Sequence, residues 1–486
     1  MPDHLTETFS GVGLDSRQVR PGWLYVALPG VHTHGARFAA QAVARGAVAI
    51  LTDADGAALA GDPGVPVIVV ADPRVAMAQA AAAVHGDPSR RLTMLGVTGT
   101  AGKTSTVALL AAGLIAAGQE VGTIGTLGFS LGGRPFAANT TTVTTPESPD
   151  LQAVLAAMVR AGATCVAMEV TSHALALHRV DGIEFEVSGF TNLGHDHLDF
   201  HQDQENYYQA KASLFRDGRT GCAVVDVDTE WGRRLARELA ASDTSVVTAS
   251  LTGPAEYRAR RWSSSAEGTT SAQFDTPSGR VDVEVGMLGA FGVRNALLAT
   301  AMLDQSRFDL DAALPGFARA VVPGRMQRVR LGEGAPRVVV DFAHLPEEVA
   351  AALAGLPGPR RIAVLGCGGD RDQSKREPMG EAAARGADVV IVTDDNPRGE
   401  DPAAIRAAVL AGAARAAAET GAEVVDGGDR RTAIARALQL AGPDDWVAIL
   451  GKGHETGQEL AGRVIPFDDV VVVREQWQAV GGDRRG

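Results

Sequence analysis

The sequence predicts an α/β protein of several domains, built on parallel sheets with crossover helices. Three observations predict it. Apolar strand-like runs alternate with helical patterns over residues 90–328 and again from Arg337 to about 475. One of these runs, residues 92–97, ends in a glycine-rich turn that opens a helix over 104–117. Six apolar runs end in clusters of polar residues, where ligands bind at the carboxyl ends of parallel strands.

A chain of 486 residues is too long for one core, and its length suggests about three domains. Residues 1–88 form the first, with short strands at 23–27, 47–51 and 65–70. Pro88 and Ser89 lead into the second, 89–328. Within it, residues 257–285 alternate polar and apolar positions around Gly268 and Gly279, as a meander insertion does. The third, 329–486, follows Pro323-Gly324-Arg325, and its tail from Gly481 is expected to be mobile.

Hydrophobic content of 45% and charged content of 21% place the chain among ordinary globular proteins. A net charge of −13 argues against a nucleic-acid binder, so an anionic substrate must meet local lysines and arginines. Cys165, Cys222 and Cys367 lie far apart in or beside apolar runs, which supports neither a disulfide framework nor a thiolate zinc site and fits a reducing cytoplasm. The first residues show no signal-peptide pattern, and no run is long enough to span a membrane.

The turn Gly99-Thr100-Ala101-Gly102-Lys103-Thr104 is a variant phosphate loop, with Val97 at the usual first glycine. Backbone N–H groups and the helix terminus make an anion cradle. Lys103 is suited to the terminal phosphates and the Thr104 hydroxyl to Mg²⁺. The alternative is a plain strand-to-helix turn, but Gly-Lys-Thr at a helix start has little other use.

The strand ends follow in order. Residues 165–168 lead to Glu169, Thr171, Ser172 and His173, and Glu169 is placed to complete a Mg²⁺ shell; otherwise it is a solvated acid. Residues 187–190 lead to Thr191, Asn192, His195, Asp196 and His197. A zinc site there is conceivable, but the spacing matches no zinc signature, and a part in the nucleotide–metal site fits better. Lys211 lies on a helix and, taken alone, reads as a surface lysine. Residues 338–340 lead to Asp341 and His344, and 362–365 to Asp370 and Arg371. Residues 389–392 lead to Asp394, Asp395, Asn396, Pro397 and Arg398, and 446–450 to Lys452, His454 and Glu455. Arg371 with Asp395 and Arg398 can hold a zwitterion, guanidinium on carboxylate and acid on ammonium, with Glu455 as a second anion; a turn with a surface ion pair is the equal alternative. Six such clusters suggest sheet edges facing one cleft.

These segments together resemble the Mur ligases of peptidoglycan synthesis, in particular the branch that adds the third amino acid. The resemblance runs from Leu14 to about Gln458. It rests on Leu14-Asp15-Ser16-Arg17, the phosphate loop, Thr144-Thr145-Pro146-Glu147, Glu169-Val170-Thr171-Ser172-His173 and Asp196-His197-Leu198-Asp199. Ala210-Lys211, Pro323-Gly324-Arg325-Met326, Gly369-Asp370-Arg371-Asp372, Asp395-Asn396-Pro397-Arg398 and Gly451-Lys452-Gly453-His454-Glu455 complete it. The resemblance implies a UDP-binding domain, a central parallel-sheet ATPase and a C-terminal Rossmann-like domain that brings the amino acid. It implies that ATP activates the D-Glu side-chain carboxylate of UDP-MurNAc-L-Ala-D-Glu as an acyl phosphate, which an amine then attacks. ATP and Mg²⁺ are the implied cofactors, and a cytoplasmic monomer is expected.

By the same resemblance, Gly99 to Thr104 hold phosphates, with Asn295, Arg325 and Asp341 also on the nucleotide. Thr104, Glu169 and His197 are metal ligands, and Lys211 matches a carbamylated lysine that serves a second Mg²⁺. Lys103, Glu169, His197 and Lys211 form the catalytic set. Leu14, Ser16, Val31, His32 and Thr33 align with the UDP site, and Thr144, Thr145, Thr171 and Arg179 with the muramoyl dipeptide. Arg371, Asp395, Asn396, Pro397, Arg398, Gly451 and Glu455 align with the amino-acid pocket. Asp-Asn-Pro-Arg goes with meso-diaminopimelate, whose distal carboxylate gives Arg398 a partner that lysine lacks. The chain departs from the family pattern at Ala101, Gly292, Leu345, Ser374, Glu377 and Leu450. A paralogue recruited to another amide-forming pathway is the alternative enzyme, and a nucleotide-binding protein without catalysis the alternative class.

Overall fold

A computed structural model describes residues 9–136, 143–194 and 196–483. The chain divides into two compact units. One holds the residues up to Arg258 with Thr276–Ser278 and Leu297–Gly316. The other holds Ala259–Asp275, Gly279–Ala296 and the residues from Phe317 onward.

The first unit contains two sheets. Strands Gly11–Gly13, Trp23–Val26, Ala47–Thr52 and Val67–Val69 pair in parallel in chain order. The alanine-rich helix Pro73–Val84 covers them, burying Ala76, Met77, Ala80 and Ala81 against Val12, Leu24, Val26 and Leu51. Asp72 caps this helix by accepting from the Arg74 and Val75 amides, and Pro73 occupies the first turn, where no N–H is needed.

The second sheet places Thr93–Thr98 in its interior, between Phe185–Phe190 on one side and Cys165–Glu169 on the other, both parallel to it. Thr220–Asp226 and Ser245–Ser250 extend the first side. Val121–Gly125 extends the second, followed by the antiparallel strands Gly128–Leu131 and Arg134–Pro135. The parallel strands carry buried residues on both faces, as crossover helices require.

The segment expected to be a meander, most of it in the second unit, forms strands Tyr257–Ser264, Thr270–Thr276 and Gly279–Val285, neighbours in chain order. Beyond it lies a sheet ordered Gln327–Val329, Arg337–Asp341, Trp446–Leu450, Arg361–Leu365, Val389–Thr393 and Glu423–Gly428. Only the first pair is antiparallel. Its strands alternate between two cores. Val339, Ala363 and Leu365 face helices Pro346–Ala354, Arg376–Gly386 and Pro402–Thr420. Val338, Val340, Ile362 and Val364 face Arg430–Leu440 and Asp469–Asp483. Helices on both faces of a parallel sheet make this the Rossmann-like layer that the resemblance implies. The last helix runs to Asp483, with Val472 and Val473 buried in the core, and Arg484, Arg485 and Gly486 lie outside the described residues.

Candidate active site

The phosphate loop leaves the interior strand Thr93–Thr98 and enters helix Lys103–Ala116. Gly99 and Gly102 adopt φ of 148° and 89°, and a side chain at Gly99 would meet the Thr191 hydroxyl at 1.8 Å. No side chain caps the helix at Gly102, and the positive end of a helix favours an anion. The loop is held from the neighbouring strand end. Thr100 and Ala101 donate their amides to the Asn192 carbonyl and Oδ1 at 3.0 Å each, and Thr191 Oγ1 donates to the Ala101 carbonyl at 2.6 Å. These ties use the backbone of residue 101, so alanine suffices there.

Two lysines converge on one carbonyl. Lys103 Nζ donates to the Gly99 and Thr100 carbonyls at 2.8 Å each. Lys211 Nζ donates to the same Gly99 oxygen at 2.8 Å. Lys211 is 1% exposed and stands 4.5 Å from the centre of the Tyr207 ring. Burial, and then the charge of Lys103, push its pKa well below the usual lysine value. This overturns the surface-lysine interpretation. Its helix, Gln204–Ala212, sets it against the loop, a placement that its sequence neighbours do not reveal.

Glu169 ends the strand beside the loop and is buried. Its Oε2 accepts from Thr104 Oγ1 at 3.0 Å and from Thr126 Oγ1 at 3.1 Å, and its Oε1 accepts from the Thr126 amide at 2.8 Å. Thr104 and Glu169 are hard oxygen donors side by side, a fit to Mg²⁺, which keeps several waters and needs few protein ligands. Thr126 was not foreseen; it follows the strand Val121–Gly125, a position at which a polar residue is the only sequence signal.

His197 follows the strand Phe185–Phe190. Its backbone φ is 54°, and Nε2 lies 3.4 Å from Asp196 Oδ2. Its ring packs edge-on against His173 at 4.8 Å, in a group with Phe200, His201 and Tyr207. Tyr207 links that group to the loop, its hydroxyl 3.1 Å from Thr100 Oγ1. His195 lies outside the described residues. Among the described residues no three His, Cys, Asp or Glu side chains are arranged to hold a metal ion.

Thr145 joins the Glu169 strand end to the next helix. Its hydroxyl donates to the Glu169 carbonyl at 2.9 Å and lies 3.3 Å from Thr171 Oγ1, which caps helix Ser172–Ala176. Thr144 Oγ1 lies 3.4 Å from Thr126 Oγ1. Arg179 binds Glu147 at 2.8 Å and the Thr145 carbonyl at 3.1 Å, while Arg74 takes the other Glu147 oxygen at 3.1 Å. On the first sheet, Ser16 is buried and donates to Gln41 Oε1 at 2.7 Å, and Leu14 packs on the core. Val31, His32 and Thr33 form an exposed turn in which Gly30 donates to the Thr33 carbonyl.

The remaining candidates belong to the second unit. Asp395 and Asn396 are buried after the strand Val389–Thr393. Asn396 Nδ2 donates to Glu455 Oε2 at 2.8 Å, and Lys452 Nζ, also buried, lies 3.1 Å from the same oxygen. Gly451 adopts φ of 112°, and a side chain there would strike Asp395 Oδ2 at 2.4 Å. Burial raises the Asp395 pKa, against the pull of Arg430 and Lys452. Arg398 carries φ of 51°, and its guanidinium NH1 donates to the Gly369 carbonyl at 2.8 Å. Pro397 precedes it, and Arg371 is exposed. The sequence places Lys452 at a strand end, and only the folded chain shows that it fixes Asn396 and Glu455.

Asn295, buried on helix Gly289–Gln305, also falls in the second unit, with Arg325 and Asp341. Arg325 stacks 4.4 Å from the Phe342 ring centre. Asp341 accepts from the Met326 and Ala343 amides, and burial raises its pKa to about 6. Burial also lowers the pKa of His454, whose ring lies 5.1 Å from Phe342.

Three family models cover most of the chain: "Mur ligase family, catalytic domain" at residues 8–85, "Mur ligase middle domain" at 97–303 and "Mur ligase, glutamate ligase domain" at 324–453. A UDP-N-acetylmuramoyl-L-alanyl-D-glutamate–2,6-diaminopimelate ligase of Streptomyces coelicolor is 46% identical over 98% of this chain and 93% of that protein. A solved structure of a ligase with the same name is 33% identical, with a TM-score of 0.73 over 97% of this chain and 95% of that one. The fold is also that of a MurF ligase from Thermotoga maritima solved with ADP, at 20% identity and a TM-score of 0.64 over 99% of both chains. By its sequence along nearly its whole length, the chain belongs to the Mur ligase family.

Proposed function

We propose that this chain is an ATP-dependent ligase that adds meso-diaminopimelate to UDP-MurNAc-L-Ala-D-Glu, working in the cytoplasm as a monomer. The observation that carries the ATPase half is the phosphate loop with Lys103 and Lys211 on the Gly99 carbonyl and Thr104 on Glu169. A carboxylate is a poor electrophile, and ATP makes its oxygen a leaving group as an acyl phosphate. The residues then act mainly by positioning and charge neutralisation. The uncapped helix start and Lys103 hold phosphates. Thr104 and Glu169 hold Mg²⁺, with His197 as a further ligand, and the ion neutralises phosphate charge when bound. Lys211, whose pKa burial pushes well below the usual lysine value, is suited to carbamylation, which converts it to an anionic oxygen ligand.

Asn295, Arg325 and Asp341 contact the nucleotide. Leu14, Ser16 and residues 31–33 take the UDP moiety, and Thr144, Thr145, Thr171 and Arg179 take the muramoyl dipeptide. Arg371, Asp395, Asn396, Arg398, Gly451 and Glu455 take the amino acid, with the carboxylates of Asp395 and Glu455 suited to ammonium and Arg398 to the distal carboxylate. Residues 1–88, 89–328 and 329–486 are the three functional domains.

A panel of amino acids and acceptor nucleotides, scored by product mass, tests this. The expected product is the UDP-linked tripeptide with diaminopimelate, and Arg398→Ala raises the KM for that amino acid at least about tenfold while the KM for ATP stays within about twofold. Product formed only from another acceptor or another amino acid, or unchanged diaminopimelate saturation in the variant, rejects the assignment.

A further inference from the structure

Arg398 does not stand alone in its loop. Residues Gly457–Leu460 and Arg463–Pro466 form a two-stranded hairpin, and its first strand runs along the Asp395–Arg398 segment. Gln458 Nε2 donates to the Asp395 carbonyl at 2.6 Å, and the Glu459 amide donates to Asn396 Oδ1 at 2.8 Å. The Arg398 amide donates to the Glu459 carbonyl at 3.0 Å, and the Ala461 amide returns to the Arg398 carbonyl at 2.8 Å. The hairpin thereby holds a non-glycine residue in the left-handed region, a conformation that persists only where its surroundings over-determine it.

The side chains complete the clamp. Glu459 Oε2 accepts from Arg398 Nε at 3.1 Å, and the Gly369 carbonyl accepts from NH1 at 2.8 Å. A side chain at Gly368 would lie 2.9 Å from NH1, so the glycine leaves room for the guanidinium. The plane of the guanidinium is fixed at two nitrogens, and NH2 carries no hydrogen bond among the described residues. A guanidinium anchored through Nε and NH1, with the donors of NH2 left over, is prepared for a second carboxylate.

We propose that Glu459 is a positioning residue for amino-acid specificity: it fixes Arg398 so that the remaining NH2 group meets the distal carboxylate of the incoming diamino diacid. This rests on the ligase function proposed above. Glu459 takes Nε and leaves NH2, so it orients the guanidinium and does not occupy the substrate's place. Its effect falls on substrates with a distal carboxylate and spares those without one. Because Glu459 is 43% exposed, its replacement leaves the core intact.

The test is steady-state kinetics on the full chain with meso-diaminopimelate and L-lysine, at saturating ATP and UDP-MurNAc-L-Ala-D-Glu. Glu459→Ala is expected to raise the KM for diaminopimelate roughly tenfold, the loss of one charge-assisted hydrogen bond, with kcat within about twofold. Use of lysine stays unchanged, so discrimination falls by the same factor. Glu459→Gln, whose amide oxygen reaches Nε equally well, restores the KM to within about threefold of the wild type. Should the alanine variant not fold, Glu459→Asp, one methylene too short, replaces it and is held to the same expectation. An unchanged or lowered KM for diaminopimelate, an equal change for both amino acids, or a glutamine variant no better than alanine overturns the inference alone. A wild-type chain that forms no product with diaminopimelate overturns the ligase function, and the inference falls with it.

Discussion

Asp469→Asn should destabilise the second unit more than any substitution on its surface. Arg430 opens the helix Arg430–Leu440, and Asp469 opens the last helix; both side chains are fully buried. Arg430 Nε and NH2 donate to the two Asp469 oxygens at 2.7 Å each, and NH2 also donates to the Leu450 carbonyl at 3.0 Å. An asparagine keeps one acceptor, removes the countercharge and turns an N–H toward the guanidinium. Breaking a buried pair from one side costs about 3–5 kcal/mol, because the surviving charge stays desolvated. For a unit of about 200 residues, each kcal/mol shifts Tm by about 2–4 °C, so a fall of about 10 °C is expected by differential scanning calorimetry. The double variant Arg430→Met, Asp469→Leu should recover most of that loss, since apolar groups of similar volume carry no desolvation penalty. The KM for the amino acid should rise in Asp469→Asn, because the Leu450 carbonyl precedes Gly451 at the candidate pocket. A Tm within about 2 °C of the wild type, or a double variant no more stable than the single one, would refute the reasoning.

Two further outcomes are expected. Lys103→Ala should reduce substrate-dependent phosphate release from ATP by at least about a hundredfold, and wild-type release in that variant removes the phosphate-loop assignment. Asp341 should make the second unit lose stability as pH rises from about 4 to about 6. Its folded pKa of about 6 lies above the usual carboxylate value, so over that window the unfolded carboxyl ionises while the folded one stays protonated. Its contribution is full below the unfolded pKa and is lost by the folded one; Asp341→Asn should flatten that part of the denaturation profile, and superimposable profiles count against it.

The parallel-sheet architecture was legible because it is written in local pattern. Val338, Val339 and Val340 face alternate cores by the two-residue period of a strand, and the helix expected over 104–117 appears as Lys103–Ala116, within the one- or two-residue fraying of helix ends. The phosphate loop was equally legible, since Gly99 and Gly102 answer a backbone need that sequence spacing expresses directly. The burial of Lys211 was not legible from its neighbours, because its helix has almost no amphipathic pattern and its partner, the Gly99 carbonyl, lies more than a hundred residues away.

Sequence alone determined the order of strands and helices, the anion-binding turn and the family, because each depends on short-range periodicity or on ordered motifs along the chain. Only the tertiary structure decided which charges are desolvated and which are paired: Lys211 under the loop, Glu169 on Thr104 and Thr126, Arg430 on Asp469, Glu459 on Arg398. Those pairings join residues distant in sequence, and charge strength depends on the surrounding dielectric, which a linear sequence does not express.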